Sequence, residues 1–423
     1  MPTKSSTLSS SYYYCFLSLI CISLCQYLRV TTAFSETIPL LRPPKISPAT
    51  GLTNRWYTWK EGQIIRYQVA GPVEGKAVVL LHGLFCNSDH WRKTLVELPK
   101  SGFRVYALDF WGCGWSSKPP PHSDLAQKCN GETHRFDHIP SILHNVALKS
   151  SDGKRTRIVD MELRHPFGSP YNFYTWSDLL TDFCKHVVLT DNTTTHTCTR
   201  SREVSLVCNS IGCSIGWQAV MDTPDIYSGV FAISPNFREL NPAEIPFPRW
   251  TMPMIRGIQQ CLRQTFVGQA LFDMLAKPDM VAWMLKGQPY AVKKAVDDTL
   301  VKVLLDPLLT QGTRQVIFDL LSYSAGPLPE QQLSSTLFPP DTPVWVCYGQ
   351  SDPWTSGPRV EALKSLVPVE IVKGFSGVGH CPHDEAPELV HPLLLEFLNR
   401  VQPRMISQTN DDEDVTLPVK IIH

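Results

Sequence analysis

The run Val204-Ser205-Leu206-Val207-Cys208-Asn209-Ser210-Ile211-Gly212-Cys213-Ser214-Ile215-Gly216 changes at Ser210 from a strand-like apolar segment to a helix-like one. A serine at such a junction sits on a sharp, strained bend, and the residues two before and two after it must be small for strand and helix to pass closely. Gly212 meets that need fully and Cys208 adequately. Cys208 departs from the usual G-x-S-x-G pattern, and the plainer reading is a serine at an ordinary helix start. On the bend reading, Ser210 is a nucleophile.

An acid and a base follow in the chain order Ser, Asp, His that this arrangement requires. Asp352 lies in Pro343-Val344-Trp345-Val346-Cys347-Tyr348-Gly349-Gln350-Ser351-Asp352-Pro353-Trp354. There an apolar run ends in a Gly turn just past a strand, where the sites of open α/β sheets collect. His380 lies in Gly377-Val378-Gly379-His380-Cys381-Pro382-His383-Asp384-Glu385-Ala386-Pro387-Glu388, a Gly-flanked loop after the apolar run 367–372. A serine hydroxyl attacks at neutral pH only when an imidazole takes its proton, and a carboxylate keeps that imidazole in the right tautomer. His380 and Asp352 would fill those roles. Backbone N–H groups must also meet the developing oxyanion. Ile211, next after the serine, offers one, and Leu84, after the strand Ala77-Val78-Val79-Leu80-Leu81-His82-Gly83, the other.

Neighbouring polar residues read as supports. Asp109 precedes the serine and reads as a loop brace, as does His82. His383 is a weaker base candidate than His380, and Asp384 and Glu385 are expected to cap the helix beginning near Pro387.

Strand-like runs at 64–69, 78–81, 105–108, 204–208, 230–233, 344–348 and 367–372 alternate with helix-like stretches such as 175–186 and 387–400. That alternation predicts a mainly parallel central sheet flanked by helices. Residues 118–172, opening with Lys118-Pro119-Pro120-Pro121, are long and aperiodic and read as a surface loop insertion. Their histidines 122, 134, 138, 144 and 165 are irregularly spaced and read as solvated. Residues 236–340 have helical periodicity and carry Trp250, Met252, Met254, Phe266, Phe272, Met274, Met280, Trp283 and Met284, side chains that suit an irregular apolar ligand or their own core.

Four separated motifs, Leu80-Leu81-His82-Gly83, Asp109-Phe110-Trp111-Gly112-Cys113-Gly114, the serine bend and the Gly379–Pro387 segment, make the chain resemble the α/β-hydrolase-fold superfamily over residues 56–403. The Asn-Ser-Ile-Gly and Gly-His-Cys-Pro-His-Asp-Glu-Ala-Pro signatures resemble plastid hydrolases of plants and algae, a group that includes enzymes cleaving the phytyl ester of chlorophyll-type pigments. The resemblance implies an α/β-hydrolase fold in which 236–340 form a helical lid. Its implied activity is a serine hydrolase with a Ser210-His380-Asp352 triad acting on an apolar carboxylic ester. Relatives on the same scaffold that open epoxides or displace halides carry a carboxylate at the bend, and this chain carries serine. The alternative from another class is a ligand-binding, receptor-like member of the fold with slow or no turnover.

With 423 residues, 43% of them apolar, the chain can bury one large core. Lys plus Arg and Asp plus Glu are both 39, which gives no electrostatic reason to expect nucleic acid as a partner. The 18% charged fraction fits an apolar ester substrate and peripheral association with thylakoid or another membrane, and a large buried core explains it equally well. No C-x-x-C pair or zinc spacing occurs, so neither metal nor cofactor is expected. Three of the 13 cysteines, Cys15, Cys21 and Cys25, lie in the leader, and Cys208 and Cys347 read as core fillers.

The leader itself is an address. Lys4, the apolar run 12–28 and Thr31-Thr32-Ala33 form a signal peptide over 1–33. Residues 34–55, starting at Phe34 with only Glu36 acidic, resemble the second half of a diatom-type plastid leader. Secretion and retention as a signal anchor are the competing readings. Asn192-Thr193-Thr194 is a glycosylation sequon, and 404–423, with Asp411-Asp412-Glu413-Asp414, an acidic tail.

Overall fold

Strands covered by helices on both faces should read as continuous apolar runs, and the computed structural model bears this out. It describes residues 41–135, 142–149, 156–191, 201–202, 204–237, 252–321, 326–401 and 404–405. The strands are β1 (Arg55–Trp59), β2 (Gln63–Ala70), β3 (Ala77–Leu81), β4 (Arg104–Leu108), β5 (Ile142–Lys149), β6 (Thr156–Glu162), β7 (Ser201–Arg202), β8 (Val204–Asn209), β9 (Tyr227–Ile233), β10 (Val344–Gly349), β11 (Val369–Phe375) and β12 (Arg404–Met405). Every residue of β3, β4, β8, β9 and β10 is buried.

Eight of them form one sheet in the order β1-β2-β4-β3-β8-β9-β10-β11. β1 and β2 are antiparallel to their neighbours, and the others run parallel. Parallel order places the C-terminal ends of β3, β8, β10 and β11 on one edge, so the loops carrying Leu84, Ser210, Asp352 and His380 all leave the sheet on the same side. One face packs on the helices Phe173–Phe183 and Ile211–Asp222 through Trp176, Leu179, Ile215 and Trp217. The other packs on Trp91, Leu95 and the helix Pro387–Arg400 through Val390, Leu394 and Phe397.

Between β9 and β10 the chain forms helices Met252–Gln264, Phe266–Leu275, Pro278–Gly287, Asp298–Leu305, Thr313–Leu321 and Pro329–Ser334. This insertion has small cores of its own, one around Val281, Tyr290, Leu300 and Leu304, another around Leu271, Phe272, Ile317 and Phe318. The Met and aromatic residues singled out in sequence therefore divide. Phe272 is core and Met274 and Met284 pack against it or its neighbour cluster, whereas Met254, Phe266 and Trp283 are exposed.

Three expectations differ from what the structure shows. Residues 118–172 are not one irregular loop, since they contain helices Asp124–Lys128 and Glu132–Arg135 and an antiparallel β5–β6 hairpin. His165 is not solvated but buried, with its Nδ1 accepting from the Phe167 and Ser169 N–H groups. The leader-like segment does not stay separate up to residue 55, because Ser47 donates to Asp89 at 2.5 Å, Asn54 donates to the Pro44 carbonyl and buried Arg66 donates to Asn54. The first two residues of the acidic tail pair with β7 as β12.

The rest of the leader, the sequon at 192–194, Trp250, the side chains of His134, His138 and His144, and the tail beyond Met405 lie outside the described residues. No described helix is long and apolar enough to cross a membrane.

Candidate functional site

Ser210 has φ 57 and ψ −121, a left-handed conformation that a non-glycine residue adopts only when its surroundings impose it. The imposition is steric. A Cβ at Gly212 would lie 2.7 Å from the Leu81 carbonyl oxygen and 2.9 Å from that of His82, so the helix starts in direct contact with the end of β3. Cys208, in the slot where the pattern has glycine, is fully buried, and a Cβ at Gly216 would lie 2.8 Å from its Sγ. The glycine one helical turn on makes the space that the cysteine fills. Ser210 N–H donates to Ile233 O at 3.0 Å, tying the bend to the end of β9.

Gly83 lies against the nucleophile candidate, since a Cβ there would sit 3.2 Å from Ser210 Cβ and 3.7 Å from its Oγ. Leu84, the next residue, thus begins its loop beside the serine. The bend also continues into Phe85, at φ 58. Among the described residues no hydrogen bond to a protein group uses the Leu84 or Ile211 N–H as donor.

Asp352 and His380 meet across the ends of β10 and β11. His380 Nδ1 is 2.7 Å from Asp352 Oδ2, both side chains being buried. Burial alone would raise the Asp352 pKa, but the neighbouring His380 charge and hydrogen bonds from His380, Thr355 and the Trp354 N–H outweigh it and hold the carboxyl below its ordinary value. Trp354 also stands edge-on to the His380 ring, with centroids 4.9 Å apart. The Asp352 loop is fixed to the His380 loop by Ser351 N–H donating to Val378 O at 2.9 Å.

A residue not singled out in sequence links this pair to the serine. The Asn209 amide, adjacent to Ser210, donates to His380 O at 3.3 Å and to Ile233 O at 3.2 Å. The Ser210 hydroxyl itself has no hydrogen bond among the described residues, so the structure joins Asp352 to His380 side chain to side chain and joins His380 to Ser210 through Asn209 and the backbone. Contacts of this kind are often loose without substrate and tighten in the bound complex.

The supporting residues behave variously. His82 is a brace, its Nδ1 donating to Gly83 O at 2.7 Å and its Nε2 accepting from the Phe110 N–H at 3.0 Å. Asp109 is fully buried and accepts from Ser88 N–H and Oγ, Trp115 N–H and Arg66. His383 is fully buried against Trp91, with Nε2 3.3 Å from His90 Nδ1, and takes no part in the Asp352 contact. Asp384 and Glu385 do not cap the helix 387–400, whose N-terminal Ala386 has no side-chain cap. Asp384 instead takes Arg92 Nε at 2.9 Å and the Tyr290 hydroxyl at 3.0 Å, while Glu385 accepts only backbone N–H groups. Nothing in the local sequence signals the partners Arg92, Tyr290, Ala291 and Val292, which lie some 90 to 290 positions away. Among the described residues, no group of three His, Cys, Asp or Glu side chains is placed to hold a metal ion.

Sheet order, crossover helices, a strained serine bend after β8 and an Asp–His pair after β10 and β11 define an α/β hydrolase. The chain belongs to the alpha/beta hydrolase family, whose family model matches residues 78–393. It is similar to the chloroplastic pheophytinase of Arabidopsis thaliana, at 21% identity over 81% of this chain, and spans 66% of that protein's length. Among solved structures it is similar to the epoxide hydrolase CorEH, with a TM-score of 0.54 and 16% identity over 83% of this chain and 100% of that one. A thermophilic esterase from Thermogutta terrifontis superposes with a TM-score of 0.51 and 16% identity over 82% of this chain and 99% of that one. Both structural likenesses bear on the fold.

Proposed function

We propose that this protein is a serine hydrolase of apolar carboxylic esters that works through an acyl-enzyme. The observation that carries the proposal is the 2.7 Å His380–Asp352 hydrogen bond on the edge of the sheet where Ser210 is held at φ 57. Ser210 Oγ attacks the ester carbonyl while His380 Nε2 takes its proton. Asp352 keeps the Nδ1 proton in place and stabilises the imidazolium without taking the proton itself. The Leu84 and Ile211 N–H groups, which have no acceptor among the described residues, receive the oxyanion. His380 then protonates the leaving alcohol, and water, activated by the same imidazole, releases the acid.

Two observations support an apolar substrate. The insertion over the sheet edge is rich in Met and aromatic side chains, and a 21% identical relative is a chloroplastic pheophytinase. A phytyl or lipid ester in the plastid is the reading these favour, with residues 236–340 as the lid. A second reading, a ligand-binding member of the fold with slow turnover, is favoured by the absent hydrogen bond between Ser210 and His380.

The test takes the purified chain against esters of graded chain length and against pheophytin, with a fluorophosphonate probe in parallel. Hydrolysis and labelling are expected, both lost in Ser210→Ala, with kcat falling by ~10⁶ as for other serine triads. Unchanged labelling in the variant would exclude Ser210, and saturable pheophytin binding without free phytol would favour the second reading.

A further inference from the structure

The base loop has almost no structure of its own. His380 follows two glycines, Gly377 and Gly379, and lies in neither strand nor helix. Its ring must nevertheless stay in line with Asp352, so what holds its backbone matters. The His380 N–H donates to Pro289 O of the insertion at 2.7 Å. The N–H groups on either side of it, Gly379 and Cys381, donate to Glu385 Oε2 and Oε1, both at 3.0 Å. Oε2 of the same carboxylate accepts from Ala291 and Val292 of the insertion, at 2.8 and 2.9 Å. A Cβ at Gly379 would lie 2.3 Å from Pro289 O and 2.7 Å from Ala291 N, so the two segments touch with no space between them.

Glu385 is thus a buried carboxylate whose hydrogen bonds come from four backbone N–H groups, two flanking the base and two in the insertion. A carboxylate offers about four acceptor sites and no donor, which matches four converging N–H groups as no neutral side chain does. Asp384 repeats the link one residue earlier, through Tyr290 Oη and through Arg92, which also holds Asp297 of the insertion at 2.6 Å.

We infer that Glu385 is a positioning residue for His380, clamping the base loop to residues 289–292, and that this edge of the insertion is a fixed wall of the site, not its opening. The inference rests on the reading of His380 as the base. Opening the insertion at 289–292 would take away the acceptor of the His380 N–H and the two insertion donors of Glu385, leaving the ring's loop held from one side only, so substrate enters elsewhere.

Glu385→Gln is the test, because it keeps the shape but turns one acceptor into a donor facing N–H groups. Expected are faster amide hydrogen exchange in both 290–292 and 379–381, a shifted or lost low-field proton signal of His380 Nδ1–H, and kcat for a p-nitrophenyl ester lowered ~10- to 100-fold with KM little changed, as misplacement of a reacting group produces. Val292→Pro is the second variant. It removes one donor from the insertion side alone, at a residue whose φ of −84 is near the proline range, and should lower kcat in the same direction but less. It decides the matter if Glu385→Gln does not fold. Faster exchange with an unmoved His380 signal and unchanged kcat would overturn the inference, leaving Glu385 a mere staple. Unchanged exchange would overturn it outright. Were the wild-type chain inert toward esters and the fluorophosphonate, the proposed function would fall, yet exchange and the His380 signal would still judge the clamp.

Discussion

The bend that carries Ser210 and the loop that carries His380 reach the same edge of the sheet by opposite means. At the bend everything is local or one strand away: a short apolar strand, a residue at φ 57, a glycine pressed against the carbonyls of Leu81 and His82, and a helix that starts at once. At the base loop the holding groups come from Glu385 and from residues 289–292, joined by hydrogen bonds that span up to 94 positions. Steric contact tolerates no adjustment, whereas a hydrogen-bonded clamp can be loosened in steps. A damaged bend should therefore cost stability, and a damaged base loop should cost rate while the fold persists.

The largest expected effect on that contrast is at Asp352. Asp352→Asn keeps the size but favours the wrong imidazole tautomer, and kcat is expected to fall ~10⁴-fold, about 5.5 kcal/mol of barrier. Thermal unfolding should change far less. A variant retaining more than a tenth of wild-type kcat would break the assignment of the acid.

Acid sensitivity comes next. Burial drives the His90 pKa down to about 4, helped by the Arg92 charge and only partly offset by the raising effect of Asp384. The His383 imidazole beside it is pushed well below 6.5, also by burial. Because the native values lie below the unfolded ones, the unfolded chain takes up protons first as pH falls. Stability is full above about pH 6.5 and is lost from there down toward about 4, by roughly 3 kcal/mol for His90 from the 1.36 kcal/mol per pKa unit. His90 Nε2 meets the Tyr290 hydroxyl at 2.8 Å, so the loss should appear first where the insertion meets the base loop. His90→Gln, which does not titrate, should flatten the slope of melting temperature against pH between 6.5 and 4, and an identical slope would remove His90 as its source.

Gly212→Ala probes the bend with the smallest expected change. Its methyl carbon would meet two backbone oxygens, which cannot swing aside as a side chain would, and overpacking of this kind destabilises by about 1–3 kcal/mol. Chemical denaturation measures it. A midpoint equal to the wild type would show that the strand and helix can part, and the contrast with the base loop would lose its basis.

How far the sequence could be read follows the same division. β3, β8 and β10 are buried throughout and mostly apolar, and their expected bounds fall within a residue or so of the observed ones. β1 escaped notice because it is an edge strand, mostly exposed, whose five residues have no apolar run to mark them. The hairpin β5–β6 escaped because polar and charged residues interrupt its apolar ones, as His144 and Asn145 do between Leu143 and Val146, so neither strand is a continuous apolar run. Asp384 and Glu385 read as caps in the sequence because a carboxylate before a helix has a familiar local use. Burial, invisible in a sequence, reassigns them to partners across the site.

What the amino-acid sequence by itself determined is the order of elements, the serine at the strand-to-helix bend, and the carboxylate and imidazole placed after later strands, because these depend on apolar periodicity and on where small residues permit a turn. What the tertiary structure alone decided is which carboxylate faces the imidazole, which asparagine ties base to bend, and which acidic residue holds the base loop to the insertion. Those contacts depend on backbone donors and burial that exist only once distant segments pack, and no local pattern of side chains encodes them.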